Sequence, residues 1–198
     1  MTVNSARISF AGESQDLDDK DKKLIDYLAK NKHMSPFEHN SLTVLIECPL
    51  YIRSQIHRHR TFSYNEVSRR YTSENLEFFI PETIRKQSKS NKQASEGILD
   101  KKKALEAIEV MESCHAVALH DYNELIKLGV PREQARGVLP QNLMTKFYMT
   151  GNLRNWAHFI ELRDHAHAQV EVQQIAKDVR KILEEKFPES AAALFKYL

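Results

Sequence analysis

Arg58-His59-Arg60-Thr61-Phe62-Ser63-Tyr64-Asn65-Glu66-Val67-Ser68-Arg69-Arg70-Tyr71 gathers four arginines and a histidine into fourteen residues, interleaved with two serines, an asparagine and two tyrosines. Guanidinium forks match carboxylate and phosphate oxygens two bonds at a time, and hydroxyl and amide groups add neutral donors, so this is the composition of an anion-binding segment. A solvated charged face would carry Lys and Glu at helical spacing, with no aromatics between the charges. Upstream, Pro49 suits the first position of a helix on which Ile52, Gln55, Ile56 and His59 share a face, so the stretch is expected to begin on the last turn of a helix and leave it near Thr61. Downstream, an extended backbone would point Glu66, Ser68 and Arg70 to one side and Val67, Arg69 and Tyr71 to the other.

Working outward, Leu42, Val44, Ile46 and Cys48 alternate with polar and β-branched neighbours and read as a strand. Ser35, Pro36 and Glu38 have the form of a capping box opening a short helix over residues 33–39. Leu24, Ile25 and Leu28, with acidic residues ahead of them, predict an amphipathic helix over 17–32, while residues 7–10, a short edge strand or the close of one, are too brief to assign. On the other side, residues 81–100 are polar and read as a partly mobile surface excursion. A long helix over 101–128 is expected to bury Leu105, Ile108, Met111, Leu119, Tyr122 and Ile126, with Gly129 ending it. Pro131 starts a short helix that Pro140 stops; a strand over 143–150 is broken at Gly151. Helices follow over 152–162, with Trp156, Phe159 and Ile160 inward, over 168–187, with Val172, Ile175, Val179 and Ile182 at core spacing, and over 188–198. This order predicts a mixed α/β (α+β) fold: a small central mixed sheet flanked by several helices, in a single domain over 1–198.

The chain of 198 residues is long enough to bury a true core, and its 41% apolar and 28% charged residues are those of a soluble globular protein. A net charge of +2 lacks the global excess of a general DNA binder; the basicity is concentrated instead. With no long apolar run and no hydrophobic N-terminal segment, neither a membrane span nor a secretory signal is expected. Cys48 and Cys114 give neither a disulfide framework nor zinc spacing, so a reducing, cytoplasmic setting is expected, with each cysteine a small structural residue. The pairs His57/His59 and His165/His167 lack an accompanying Cys or acidic set, and no metal is expected. The glycine-rich phosphate loops are missing, so a dinucleotide would be held without a Rossmann turn. A second polar and basic cluster, running from Asn152-Leu153-Arg154 to Arg163-Asp164, points to two anionic ligands or one long one. With no convincing nucleophile, the chemistry is expected to borrow a cofactor.

The pattern Arg-His-Arg, two residues, Ser, one, Asn, two, Ser, one, Arg-Tyr resembles the motif of the flavin-dependent thymidylate synthases at all eight fixed positions. The likeness extends over residues 33–39, 49–71, 129–142 and 152–169. It implies a methyltransferase that is a homotetramer with FAD at subunit junctions, dUMP as substrate, methylenetetrahydrofolate as carbon donor and NADPH as reductant, with no enzyme cysteine attacking the pyrimidine. By position, the resemblance implies FAD contacts from Ser35, Arg58, His59, Arg60, Glu66, Asn152, Leu153, Arg154 and His158. It implies dUMP contacts from Gln55, Ile56, His57, Arg58, Glu66, Val67, Ser68, Arg69, Arg70, Arg136 and Arg163. Arg163 is the implied catalytic residue: its guanidinium lies against the uracil and favours ionisation at N3, positive charge placed where negative charge develops. His158 stands where some relatives carry Asn. The reading from a different class is a single-stranded nucleic-acid-binding module, since interleaved Arg and Tyr also suit base stacking.

Overall fold

The computed structural model describes residues 1–197. In chain order these form α1 (Thr2–Arg7), α2 (Asp19–Lys30), β1 (Ser41–Pro49), α3 (Leu50–Ile56), β2 (Ser63–Glu66), β3 (Arg85–Gln87), β4 (Ser95–Ile98), α4 (Lys101–Lys127), α5 (Arg132–Ala135), β5 (Met144–Asn152), α6 (Leu153–Arg163), α7 (Val170–Lys186) and α8 (Pro188–Lys196). Strands β1, β5 and β2 form a small sheet in the order β1–β5–β2, and β3 pairs antiparallel with β4. This is the mixed α/β architecture that the residue pattern predicts. No described helix is long and apolar enough to cross a membrane. Two compact units are interleaved in sequence: the first takes Met1–Ile46, Ile56–Asn65 and Tyr148–Leu198, the second Glu47–Gln55 and Glu66–Phe147.

In the first unit α2, α6, α7 and α8 bury Ile25, Leu28, Trp156, Phe159, Val172, Val179 and Leu183, each large side chain contributing roughly 1.5–3 kcal/mol by leaving water. The Trp156 indole N–H is not wasted, donating to the Leu42 carbonyl at 3.1 Å. The α2 helix opens on a capping box in which Asp18 accepts from the Asp21 N–H at 2.8 Å. Asp21 itself is fully buried, takes the Ser14 hydroxyl at 2.6 Å and pairs with Arg7. Residues 7–10, too brief to assign from sequence, are the end of α1 and a 3-10 turn, with Arg7 paired to Asp21. Gly151 does not break β5, which runs through to Asn152. The Phe62 ring occupies the space that a side chain at 151 would need, so glycine is required there by packing, not by a turn.

In the second unit Tyr122, Ala135, Leu139 and Leu143 form a core joined by Leu50, Phe78, Leu125 and Val130. The first turn of α3 is tied to it through the Leu50 N–H to the Leu143 carbonyl at 3.0 Å and the Tyr51 N–H to the Gln141 carbonyl at 3.1 Å. The long helix α4, capped by Asp100 and closed at Gly129 with φ +87°, buries His115, Ala118 and Tyr122. In its first half Leu105, expected to be buried, is 53% exposed, and Ile108 and Met111 are half-buried. Residues 81–100 are not a featureless excursion but carry the β3–β4 hairpin, whose turn is held by Gln87 donating to the Asn91, Lys92 and Ala94 carbonyls.

Candidate functional site

The arginine-rich stretch does not begin on a helix. The α3 helix stops at Ile56, and residues 57–62 form a turn in which the His59 N–H donates to the Ile56 carbonyl at 3.0 Å. The Tyr64 hydroxyl then closes the turn from below, donating to the Ile56 carbonyl at 3.1 Å and the His59 carbonyl at 2.8 Å. Burial pushes the Tyr64 phenol up to about 12, so it remains a donor at any ordinary pH. Phe62 anchors the other side, edge-on to Trp156 at 4.6 Å, and Asn155 donates to the Thr61 carbonyl at 2.9 Å. Pinned in this way, the turn exposes Arg58 and Arg60 and directs His59 inward.

His59 is buried against Phe159, ring centroids 4.9 Å apart, and its Nε2 accepts from Arg163 Nε at 2.9 Å. That bond requires a neutral imidazole with its proton on Nδ1. Burial, and after it the charges of Arg163 and His158, push His59 down to about 4, so the neutral form holds at pH 7. Arg163, at the end of α6, is held below the usual arginine range by burial and then by the charge of Arg58. Two guanidiniums close enough to disfavour each other are what an anion would relieve.

The remaining first-unit candidates fall around α6 and the 3-10 turn Ser35–His39. Asn152 caps α6 by accepting from the Asn155 N–H at 2.9 Å. Leu153 is a core side chain whose N–H donates to the Asn40 carbonyl at 3.1 Å. Arg154 pairs with Glu38 at 2.5 Å. The capping box expected of Ser35 and Glu38 does not form, since Ser35 lies inside the turn, exposed, and Glu38 faces Arg154. His158 is exposed with Glu161 at 3.4 Å.

The second unit holds the rest. Beyond Glu66 the chain leaves the extended form, so the expected alternation does not reach Arg70: the Tyr71 and Thr72 N–H groups turn back onto the Ser68 carbonyl at 3.0 and 3.2 Å. Glu66 accepts from the Thr145 hydroxyl at 2.7 Å and lies 3.3 Å from Arg53 Nε. Arg69 spends its guanidinium on backbone, donating to the Glu74 carbonyl at 2.5 Å and the Asn75 carbonyl at 3.0 Å. Arg70 meets Glu133 at 3.2 Å, and Arg136 Nε donates to the Glu133 carbonyl at 3.3 Å. Arg53, Glu66, Arg69, Glu133 and Arg136 line one cavity of about 430 Å³, three positive groups against two negative.

Ile56 is a core side chain with only its backbone at the turn, and Gln55 and His57 are half-buried. Arg53, Glu133 and Thr145 line this cavity without having been singled out from sequence. Only Arg53 carried a signal, the one charge on the α3 helix. Cys48 is buried, and burial followed by the nearby Glu66 carboxylate pushes its thiol up to about 12, which leaves it no thiolate character. Cys114, expected inside a buried helix, lies on the exposed side of α4.

The model of the thymidylate synthase complementing protein family matches residues 1–189. A flavin-dependent thymidylate synthase of Thermus thermophilus is 42% identical over 197 residues, covering 99% of this chain and 71% of the relative. One from Thermosipho africanus is 39% identical over 195 residues, covering 98% and 85%. Among solved structures, a UMP/dUMP methylase PolB from Streptomyces cacaoi bound with 5-Br dUMP is similar at a TM-score of 0.88 with 32% identity, covering 99% of this chain and 89% of that one.

Proposed function

The chain belongs to the thymidylate synthase complementing protein family, the flavin-dependent thymidylate synthases, and from that premise we propose that it methylates dUMP reductively to dTMP, with FAD as its cofactor. The observation that carries the reading is the Arg58–Arg163 neighbourhood: two guanidiniums close enough to disfavour each other, one bonded to a neutral histidine, with Arg60 exposed on the same turn as Arg58. Such a place fits a dianionic pyrophosphate and an ionising pyrimidine, and favours this function over strand binding.

Arg58, His59, Arg60, Ser35, Asn152, Leu153, Arg154 and His158 in the first unit, with Glu66 in the second, are the groups we assign to FAD. When bound, FAD supplies the hydride, replenished by NADPH, while methylenetetrahydrofolate supplies the carbon. For dUMP we assign the segments Gln55, Ile56, His57, Arg58 and Glu66, Val67, Ser68, Arg69, Arg70, with Arg136 and Arg163. Arg70 and Arg136 supply cationic forks for the 5′-phosphate, Leu153 and Ile56 contribute backbone only, and Arg163 lays positive charge where N3 loses its proton. A thiol pushed up to about 12 at Cys48 suits a route without a cysteine nucleophile. We further propose that residues 1–198 act as one domain, since the two units are interleaved, and that the protein is a homotetramer with FAD at subunit junctions. The exposed apolar side chains Val110 and Val117, two turns apart on one side of α4, support a covered face.

The test is tritium release from [5-³H]dUMP by the FAD-loaded protein with folate donor and NADPH. Arg163→Ala should keep the fold and the flavin and lose on the order of 10²-fold or more in turnover, as removal of one preorganised charge does elsewhere. Near-normal turnover would remove Arg163 from the chemistry.

A further inference from the structure

A site that captures an anion gains from its cations and loses by any carboxylate, so a carboxylate in the wall of one needs a reason. The cavity of the second unit is lined by two. Glu66 is answered within the wall, by the Thr145 hydroxyl at 2.7 Å and Arg53 Nε at 3.3 Å. Glu133 stands differently. Arg70 meets its carboxylate at 3.2 Å and Arg136 Nε donates to its carbonyl at 3.3 Å, so both guanidiniums assigned to the 5′-phosphate converge on this one residue.

The fold does not need that carboxylate. The Glu133 side chain is 53% exposed, and the contact with Arg136 uses a backbone carbonyl that any residue would supply. Its neighbours hold the residue in place: the Gln134 and Ala135 N–H groups donate to the Pro131 carbonyl at 2.9 and 3.0 Å, and Ala135 is fully buried. A negative group tethered in this way stays near the cavity when a phosphate arrives. Its repulsion grows with the charge that the ligand brings, which is how a site is built against the wrong partner. Arg70 and Arg136 together balance the two charges of a monophosphate; a diphosphate adds a third, which faces the Glu133 carboxylate.

We propose that Glu133 is a specificity-determining residue, a carboxylate set between the two phosphate-binding arginines that admits a nucleoside monophosphate and turns away the di- and triphosphates of the same base. This role rests on the activity proposed above and adds to it the means by which the cavity limits the charge of its nucleotide.

Glu133→Gln keeps the shape and removes the charge. Calorimetric titration of the FAD-loaded parent should give affinities that fall from dUMP to dUDP to dUTP. In Glu133→Gln dUMP should bind about 2–10-fold more tightly and the preference for dUMP over dUDP should narrow roughly tenfold, the effect of one added charge near one removed carboxylate. Glu133→Asp, which keeps the charge, should keep the preference. In 1 M NaCl, where screening acts over about 3 Å, the preferences of the parent and Glu133→Gln should converge. A difference unmoved by salt would mean a steric role and overturn the proposal. So would a preference unchanged in Glu133→Gln, or weaker dUMP binding, which would make the carboxylate a support for Arg70. Inorganic phosphate and pyrophosphate separate this role from the activity. A protein that ignores dUMP yet prefers phosphate to pyrophosphate, and prefers it less as Glu133→Gln, refutes the assigned function and leaves the proposal standing; a parent without that preference refutes the proposal.

Discussion

Tyr64→Phe removes one oxygen, and the structure says what that oxygen does. The hydroxyl donates to two carbonyls, Ile56 at 3.1 Å and His59 at 2.8 Å, which mark the start and the middle of the turn carrying Arg58, His59 and Arg60. One proton cannot serve both at full strength, so the gain is that of one shared bond, about 0.5–1.5 kcal/mol, and the loss on deletion adds the cost of leaving carbonyls short of a donor, about 1–3 kcal/mol if water cannot reach them. A half-buried ring lets some water in, and a destabilisation of about 1–3 kcal/mol follows. For a chain of this length that is roughly 2–12 °C in Tm. The phenylalanine ring still fills its place against Phe62, centroids 6.3 Å apart, so the effect should be local. Scanning calorimetry of the FAD-loaded protein, together with the ratio of flavin to protein after gel filtration, should show a lowered Tm and weaker flavin retention, unchanged in character up to about pH 11 because the parent phenol stays protonated. A variant with the parent's Tm and flavin content would mean that the turn is held by its other bonds alone.

Gly151→Ala should destabilise by about 1–3 kcal/mol, because the new methyl meets the Phe62 ring, and Phe62→Leu on that background should restore part of the loss in urea denaturation. Acidification should act through His59. Its folded value, about 4, lies below the ordinary imidazole value of 6.5, so the stability it contributes is complete above pH 6.5 and is lost as the pH falls through about 4. Comparing urea melts of the parent and His59→Gln between pH 7 and pH 4 should show the parent losing about 1–3 kcal/mol more than the variant, and parallel curves would contradict the assignment.

Much of the fold was legible because burial writes a period into the sequence. Val44, Ile46 and Cys48 alternate and are buried in alternation; Trp156, Phe159 and Ile160 recur at helical spacing and face the core. What escaped had its cause elsewhere in the chain. The α3 helix stops at Ile56 because a tyrosine eight residues on captures its last carbonyl. Gly151 reads as a breaker until Phe62 is known to need the space. Residues 85–98 carry no apolar alternation, and their hairpin is drawn together by side-chain amides and hydroxyls. The site divides in the same way: the arginines were visible as a motif, whereas the cavity-lining Thr145 reaches Glu66 across 79 positions, a distance no local pattern spans.

The adjacent pair Arg69 and Arg70 shows how residue type fails to settle role. Arg69 is half-buried, its guanidinium bound to the Glu74 and Asn75 carbonyls and 3.5 Å from that of Met144, and burial holds it below the usual arginine range. Removing it strands carbonyls that a cation had satisfied, so Arg69→Ala should cost about 2–4 kcal/mol of stability. Arg70 has one carboxylate partner, Glu133 at 3.2 Å, and both side chains are 53% exposed, so the pair contributes at most about 1 kcal/mol. An exposed pair that weak gives way readily to a phosphate, for which Arg70 offers a fork and Glu133 only repulsion. Arg70→Ala should therefore leave Tm almost unmoved and weaken dUMP binding by roughly 10–100-fold, with FAD binding little changed. If the two substitutions exchange effects, with Arg70→Ala unfolding the chain and Arg69→Ala only weakening dUMP, then the carbonyl clasp is not what holds the loop. Equal losses of dUMP and FAD on Arg70→Ala would show instead that the two ligands are not served by separate arginines.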